Sequence, residues 1–384
     1  MKLSTRGLLA LSAAILVPVS GWAQDADEGE FPFDSDIERN LSVPDGEEVE
    51  GYDPDKPWSL EVELEYFNNN NTSDDEVEDE YSATISGRYY FNENISVTGV
   101  LLGAPVDGDG IFPDDYDFYF EELYAEYATD AFTLFGGKYN PIFGIGYDDA
   151  ISFLYGAEYF FGYELVERLG VGGAYNFSDS AGGSHSVGAS AFRLDTTALA
   201  KTFFKGIQLA DRADGGLSNT SGLESYNVWL QGDDPFGYED SRYNITYRSQ
   251  KGGLPGEETE TGFAIGASKL FSLPNGNAIE AYAEAVSLDN SLDDGIAFDQ
   301  DSIMATAAYL FGDDWAASLG GGYQRIRNSS DVTGIANGNN NFVSVSIGKT
   351  FADSLYVELA HQRAVQDGAR RNQTGIFLYY GLEF

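Results

Sequence analysis

The sequence predicts an all-β fold, a transmembrane antiparallel up-and-down β-barrel of about sixteen strands. Three observations predict it. Apolar residues recur with a period of two from Trp58 to the C-terminus, which places them on one face of each strand. The connections between these segments alternate between long and short, and the chain ends on a strand with one apolar face. A wall between lipid and a polar interior requires this combination.

The last strand carries the most specific of these signals. Its even-numbered residues from Ile376 to Phe384 are apolar, whereas the opposite face mixes Tyr379, Gly381 and Glu383. Chain ends usually fray in water, so an apolar terminus is unusual in a soluble protein, although an edge strand of a soluble sandwich would share the pattern. The segment resembles the closing strand of Gram-negative outer-membrane barrels. That resemblance implies recognition of Phe384 by the barrel-assembly machinery.

The N-terminal region predicts export. A basic start at Lys2 and Arg6 precedes a short apolar run and small residues suited to cleavage, so we expect 1–23 to be a signal peptide rather than a spanning helix. Residues 24–56 are acidic without a sustained period, which is typical of a flexible periplasmic lead-in; a short plug in the lumen is the alternative. The barrel is expected over 57–384. Without Cys, its stability would not depend on disulfides.

The strands follow one another at regular spacing. Apolar and polar residues alternate in each, as Leu60, Val62 and Leu64 do with the intervening glutamates. The phase is least regular at 117–128 and 185–195. An even number of antiparallel strands lets the first and last strands pair, so that no unpaired edge faces lipid. The predicted strands lie near 58–66, 81–91, 95–103, 117–128, 132–139, 169–177, 185–195, 223–231, 241–249, 261–271, 278–287, 301–311, 315–326, 341–351, 355–364 and 373–384.

The connections sort by parity into two classes. Short turns such as 92–94 and 312–314 alternate with long connections, and only 233–240 is longer than this rule allows. Such sorting places all long loops at one end of the barrel and all short turns at the other, as in transmembrane barrels with long outer loops and short periplasmic turns. A soluble sandwich has no reason to sort its loops in this way. The predicted long connections are 68–80, 104–116, 140–168, 196–222, 250–260, 288–300, 327–340 and 365–372.

Composition and size limit the function. The chain carries 63 acidic and 21 basic residues, a net charge of −42, and such a field repels nucleic acid and other polyanions. Its 25 Tyr and 26 Phe fit aromatic girdles better than a helical core. Sixteen strands also leave an aqueous channel, whereas side chains fill the interior of an eight-stranded barrel. These features together favour transport of small hydrophilic solutes or ions.

One internal motif carries a family resemblance. Residues 135–144 read F-G-G-K-Y-N-P-I-F-G and resemble the G-K-x-x-P-x-F-G stretch of the phosphate-selective porin O/P and related Gram-negative porins. The resemblance implies an outer-membrane porin, in contact with lipid and lipopolysaccharide, whose long loop after the motif lies near the constriction. Phosphate selectivity does not carry over, because those relatives present rows of Lys and Arg to the lumen and the basic residues here are scattered. Monomer and homotrimer both remain open.

Glutamates on the face opposite the apolar residues are the acidic candidates for the pore lining. Carboxylates on the lipid side would be costly, so we expect these side chains to face water in the lumen, where acidic rings favour cations. The alternative is a solvated wall without strong selectivity. The candidates are Glu61, Glu63, Glu65, Glu122, Glu126, Glu280, Glu284 and Glu358.

Basic residues and the longest connection supply a second candidate arrangement. Arg88, Arg242 and Arg248 share the polar face of their strands. They predict a basic wall opposite an acidic loop folded into the lumen, which would set up a transverse field. In the alternative, the loop stays outside and its charges are only solvated. The constriction-loop candidates are Asp148, Asp149, Glu158, Glu164 and Glu167.

Four basic residues lie where apolar side chains are expected. Arg325, Arg327, His361 and Arg363 are at the outer ends of strands, on the apolar parity. Two interpretations remain open: contact with lipopolysaccharide phosphates, which Arg matches well, or a slip of the strand phase. Acidic outer loops such as 107–109 match no complete Ca²⁺-loop pattern, so solvation is favoured there.

Enzyme, cofactor and metal motifs do not emerge. The chain has no Cys, its two histidines are far apart, and it contains neither a G-x-S-x-G elbow nor a phosphate-binding loop. We therefore expect a non-enzymatic porin without a cofactor or metal, which prefers cations. The alternatives are a surface receptor, a dedicated siderophore-uptake barrel and, with least support, a barrel-embedded hydrolase that uses a Ser-His pair.

Overall fold

Sixteen strands close into one antiparallel barrel in the computed structural model. The structure describes residues 52–71, 76–106, 113–146, 162–293, 296–312, 314–328, 337–351, 354–366 and 368–384. The strands are β1 Trp58–Asn71, β2 Glu76–Asn92, β3 Ile95–Pro105, β4 Tyr116–Ala128, β5 Phe132–Tyr139, β6 Arg168–Ser178, β7 Ser184–Leu194, β8 Ser225–Asp233, β9 Ser241–Gln250, β10 Glu260–Ser272, β11 Ala278–Asp293, β12 Ile296–Phe311, β13 Trp315–Arg327, β14 Gly338–Phe351, β15 Leu355–Gln366 and β16 Ala369–Glu383.

Helical structure is minor in the described part of the chain. Three short 3₁₀ helices lie in connections, at Ala198–Ala200, Arg212–Asp214 and Pro235–Gly237. Within the same described ranges, no helix is both long and apolar enough to cross a membrane.

Each strand pairs with its neighbours in sequence, and β1 pairs with β16 to close the barrel. In the closing ladder Leu64 lies opposite Tyr380, and the backbone N–H of Phe384 donates to the carbonyl of Leu60 over 2.9 Å. The predicted fold class, strand number and closing strand are therefore confirmed. The predicted signal peptide at 1–23 and nearly all of the lead-in at 24–56 lie outside the described residues.

Burial alternates along the strands with the opposite sense to a soluble protein. The apolar parity points outward, so that Leu64 is 49% and Leu359 is 51% exposed, while polar neighbours such as Glu63 and Glu358 are buried on the inner side. Hydrocarbon stabilises this outer face, whereas water would not. This alternation identifies which residues face lipid and which face the lumen.

An aromatic girdle surrounds the rim that carries the short turns. Outward Tyr, Trp and Phe side chains stand near these turns on most strands, and Lys269 and Lys349 lie over neighbouring rings at 5.5 and 5.1 Å. Amphipathic rings favour the membrane–water boundary. The exposed members are Trp58, Tyr89, Phe91, Tyr127, Phe132, Tyr175, Phe177, Phe271, Tyr309, Trp315 and Phe351.

Two short turns are tied together at this rim. The carboxylate of Asp179 accepts hydrogen bonds from the backbone N–H groups of Phe236, Ala181 and Gly183, at 2.6, 2.7 and 3.2 Å, and lies 3.1 Å from Nε2 of His185. These donors, above all the N–H of Phe236, lower the pKa of Asp179 to about 2. The bonds join the turn after β6 to the longer turn after β8.

The irregular phase predicted for β4 has a structural cause. Glu122 pairs with Val100 and Phe120 pairs with Leu101, which leaves Glu121 as an extra residue in a β-bulge. A bulge shifts the inward parity by one position. Consequently Glu121 and Glu122 are both buried although they are adjacent in sequence.

Three of the predicted long connections are wrong in extent. Most of 68–80, 288–300 and 365–372 continues the strands, and β1 pairs with β2 out to Asn71 opposite Glu76. Beyond the membrane both faces of a strand meet water, so the ladder persists without an apolar alternation to reveal it. The parity rule itself holds: the longest connections, after β5 and β7, lie on the rim opposite the short turns.

Candidate functional site

The connection between β5 and β6 turns into the lumen. Its described parts, 140–146 and 162–167, are called here the inner segment. Phe143, Ile145, Tyr163 and Leu165 of this segment are 1–5% exposed. They belong to one cluster with inward residues of six strands: Phe192, Ala264, Tyr282, Val286, Leu288, Met304, Phe342 and Ala364. The inner segment therefore lies along the inner wall from β5 as far as β11 and occupies part of the lumen.

The local sequence of the family-like motif starts this inward turn. Gly137 adopts φ +145, and a Cβ there would lie 2.3 Å from the carbonyl oxygen of Leu123, so only glycine fits. Asn140 then connects the start of the inner segment with β4 and with the end of the same segment. Its N–H donates to Glu122 over 2.9 Å, and its side-chain oxygen accepts from the N–H of Glu167 over 2.7 Å. Both ends of the inner segment are thereby held at the same place on β4.

A groove on β10 receives the inner segment. Three successive inward positions of this strand are Gly262, Ala264 and Gly266. A Cβ on Gly262 would lie 2.9 Å from the ring of Phe143, and one on Gly266 would lie 2.6 Å from Ile145. Small residues here allow the segment to approach the backbone of the wall closely.

Backbone groups of the inner segment find partners on the strands that they pass. The N–H of Gly144 donates to Thr246 over 2.9 Å, and the carbonyl of Ile142 accepts from Asn227 over 2.7 Å. Unpaired backbone groups in such a buried place would cost free energy. These bonds anchor the segment to β8 and β9.

Glu284 on β11 makes the most concentrated contact. One carboxylate oxygen accepts from the N–H of Ile145 over 2.6 Å, and the other accepts from the hydroxyl of Tyr163. Glu284 is 2% exposed. A single carboxylate thus holds the outgoing and the returning part of the inner segment, and hydrogen bonds to an ionised acceptor are the stronger kind.

Arg248 on β9 closes the other side of the segment. Its Nε donates to Glu260 over 2.8 Å, its guanidinium lies 4.1 Å from the ring centre of Phe143, and it also donates to the carbonyl of Tyr163. Stacking on an aromatic face combined with a forked donor set suits Arg rather than Lys. Its charge is compensated within the wall.

Lys138, which belongs to the family-like motif, has a buried ammonium group with several polar partners. Its ammonium is 2.7 Å from Glu167, 3.6 Å from Asp195 and 2.5 Å from the carbonyl of Phe120, and the residue is fully buried. Asp195 belongs to the connection after β7. Lys138 therefore links the inner segment to a second long connection and to β4.

All eight predicted glutamates lie on the inward parity, but most are not open to water. Glu61, Glu65 and Glu280 are partly exposed, and the other five are buried. Other inward side chains, from the same strand or from strands one or two positions away, supply hydrogen bonds to several of them. The contacts are Glu63 with Tyr379 at 2.7 Å, Glu65 with Ser82 at 2.6 Å, Glu126 with Arg88 at 2.7 Å and Glu358 with Tyr356 at 3.0 Å.

The three predicted arginines do not form one wall, which corrects that prediction. Arg88 lies on β2, seven strands from β9, which carries Arg242 and Arg248. Arg242 lies near a short turn and pairs with Asp233 at 2.7 Å, whereas Arg248 lies under the inner segment. Parity predicted their face correctly, but the topology separates them around the barrel.

The predicted loop residues divide in two. Asp148, Asp149 and Glu158 lie outside the described residues. Glu164 and Glu167 belong to the inner segment, where Glu167 pairs with Lys138. The described ends of the loop thus lie inside the barrel, as the constriction hypothesis requires, and the alternative of a loop wholly outside does not apply to them.

Several site residues escaped the sequence analysis. Asn140, Asn227, Thr246 and Asp195 look like ordinary polar residues of strands and loops, and Lys138 was noted only as part of a motif. A usable signal was present on β10, where glycine and alanine occupy three successive inward positions. Within the described residues no group of three or more His, Cys, Asp or Glu is arranged to hold a metal ion.

Comparisons with known proteins agree with this architecture. No protein-family model and no curated protein matches the chain. Among solved structures, the outer membrane channel DcaP of Acinetobacter baumannii has a TM-score of 0.57 at 11% identity, covering 85% of this chain and 96% of DcaP. OprB of Pseudomonas putida has a TM-score of 0.56 at 12% identity, covering 87% and 94%. A loop-deletion mutant of OmpT, an outer membrane protein of Vibrio cholerae, has a TM-score of 0.54 at 14% identity, covering 85% and 100%.

At these identities the likeness shows the fold alone: a sixteen-stranded barrel of the outer-membrane type. The narrower resemblance to phosphate-selective porins stays a prediction.

Proposed function

We propose that this protein is an outer-membrane channel for passive diffusion of small hydrophilic solutes or ions, narrowed by the inner segment. One observation carries the proposal: the connection after β5 enters the lumen and binds the inner wall at β8, β9 and β11 through Asn227, Thr246 and Glu284. A sixteen-stranded barrel has room for water, and an inward segment restricts what passes. The solved channels with this fold support the same interpretation.

We further propose that the channel prefers cations. The three arginines predicted for the basic wall each pair with a carboxylate, Arg88 with Glu126, Arg242 with Asp233 and Arg248 with Glu260. These three pairs therefore add no net positive charge to the wall. Glu61 and Glu280 are partly exposed on the inner face, and acidic groups in pores favour cations.

Single-channel recording after insertion into a planar bilayer tests conduction. We expect discrete conductance steps. A folded barrel that gives none would contradict the channel and favour the surface-receptor alternative.

The zero-current potential under a KCl gradient tests ion preference. We expect the cation-selective sign in dilute KCl and a much smaller potential in molar KCl, because the Debye length falls from about 10 Å at 0.1 M to about 3 Å at 1 M. The double variant Glu61→Gln/Glu280→Gln should reduce the potential. The matched control Glu93→Gln/Asp130→Asn removes two carboxylates from short turns and should leave it nearly unchanged. An anion-selective sign, or equal effects of the two double variants, would contradict the proposal.

A further inference from the structure

Four basic side chains form a belt on the outside of the barrel. Arg325 and Arg327 of β13 and His361 and Arg363 of β15 are called here the outer basic belt. They share the outward parity of their strands, since their neighbours Gln324, Ile326, Gln362 and Ala364 are buried inward. The strand phase therefore does not slip at these ends, and the belt faces the surroundings of the barrel.

Arg325 of the belt lies at the height of the outer membrane boundary. On β13, Trp315 belongs to the aromatic girdle at the short-turn rim, and Arg325 follows ten positions later on the same face. Ten residues span about 33 Å along a strand, or about 25 Å of height at a tilt of about 40°. The apolar band of such barrels is about 25 Å tall. On β15, Arg363 pairs with Val343, which pairs with Gly321 of β13, so Arg363 lies about four positions nearer the short-turn rim than Arg325. The outward apolar residues Leu319 and Val343 lie within the band, and Val343 is directly beside Arg363.

A cleft with a donor lining lies at this belt. It has a volume of about 430 Å³ and lies between the outer ends of β13 and β14. Its side chains include those of Arg325, Arg327, Asn328, Asn337 and Asn339, without an Asp or Glu among its described lining residues. Arg327 also pairs with Asp301 at 2.7 Å, and Asp301 belongs to the next strand rather than to the cleft.

The chemistry of the belt is opposite to that of the chain as a whole. A protein with 63 acidic and 21 basic residues repels anions in general. On this outward face Asp301 of β12 pairs with Arg327, and Asp299 accepts a hydrogen bond from Asn328. The positive charge that the belt offers to a ligand is therefore that of Arg325 and Arg363, and guanidinium groups match phosphate oxygens in geometry. At the membrane boundary, basic pockets recognise the head groups of anionic lipids.

We propose that the outer basic belt binds the phosphate groups of a phosphorylated glycolipid of the outer leaflet. The acyl chains would lie on the apolar band that includes Leu319 and Val343, and the phosphates would lie on Arg325 and Arg363. Two strand spacings, about 10 Å, separate β13 from β15, and the register offsets Arg363 from Arg325 by about 13 Å along the strands. The two Cα atoms are thus about 16 Å apart, and the long side chains of both arginines allow one large head group with two phosphates to reach both. The proposal requires an outer-membrane position but does not depend on conduction.

Binding of purified lipid A to the folded full chain in detergent tests this proposal. The readout is the apparent Kd from native mass spectrometry, with bisphosphorylated lipid A as the probe. We expect Arg325→Gln/Arg363→Gln to weaken binding at least tenfold, because charged hydrogen bonds are lost. Arg325→Lys/Arg363→Lys keeps both positive charges but loses the planar donor arrangement of the guanidinium. Its apparent Kd should therefore lie between that of wild type and that of Arg325→Gln/Arg363→Gln.

Two comparisons make the test specific. The control Lys269→Gln/Lys349→Gln removes two cations from the short-turn rim and should retain wild-type binding. Dephosphorylated lipid A should bind wild type and Arg325→Gln/Arg363→Gln equally weakly, and inorganic phosphate should not displace the intact lipid. Wild-type affinity in the arginine double variant, equal losses in the lysine control, or undiminished binding of dephosphorylated lipid A would each overturn the proposal. Heat-dependent mobility on a gel confirms that every variant is folded.

Discussion

Glu284→Gln should loosen the inner segment without removing it from the lumen. Glu284 accepts two hydrogen bonds, from the N–H of Ile145 and the hydroxyl of Tyr163. Gln keeps one acceptor oxygen and turns an NH₂ group toward the other donor. The variant therefore loses about one charge-assisted bond, about 1.5–3 kcal/mol, and 1.4 kcal/mol is a factor of ten in an equilibrium.

The population with a detached segment should thus rise about ten- to one-hundred-fold. Detachment should remain transient, because Phe143 and Ile145 stay buried and each apolar side chain contributes about 1.5–3 kcal/mol. In single-channel recordings we expect brief steps to a higher conductance, at a frequency raised by this factor. Tyr163→Phe should give a smaller increase, and the double variant should add little to Glu284→Gln, since both changes remove the same contact.

The matched control is Glu280→Gln. Glu280 lies on the same strand and the same face, about 13 Å nearer the short-turn rim, and its substitution changes the charge equally. Steps of equal frequency in the two variants would refute the reasoning, since a general loss of lumen charge would then explain them. An unchanged record for Glu284→Gln would show that Glu284 does not limit the movement of the segment.

Two further predictions concern stability. Lys138→Met should lower the free energy of unfolding by about 3–5 kcal/mol, because it leaves the carboxylates of Glu167 and Asp195 without their buried cation; urea titration in detergent checks this, and Lys138→Met/Glu167→Gln should recover part of the loss. The pKa of Asp179 is lowered from 3.8 to about 2, so its stabilising effect is present above pH 3.8 and is lost as the pH falls through 2. Asp179→Asn should flatten the acid side of the stability curve, and an unchanged slope would contradict the assignment.

Much of the fold follows from local patterns. Lipid on one side and water on the other act on each residue separately, so the faces of β1, β2 and β16 are visible as a period of two. The inward orientation of Glu63, Glu284 and Glu358 was predictable for the same reason. Strand ends beyond the membrane were not, because pairing continues there after the apolar alternation has stopped.

The alternation of residues along each strand was not enough to predict how the residues of the candidate site are arranged. Parity placed Arg88 and Arg248 inward, yet it carries no information on how far apart two strands lie around a closed barrel. The β-bulge at Glu121 also places both Glu121 and Glu122 on the inner side, and residue spacing alone did not predict this.

The sequence by itself determined the number of strands, their inward and outward faces, the two kinds of rim and the closing strand, because each depends on the solvent that meets one short segment. Tertiary structure alone decided that the inner segment enters the lumen and which residues hold it there. Ile145 and Glu284 are 139 positions apart, and they meet only because the curvature and register of the barrel bring β11 within reach of the segment that follows β5. Contacts of that kind are set by the diameter and pairing of the whole barrel, and no local pattern records them.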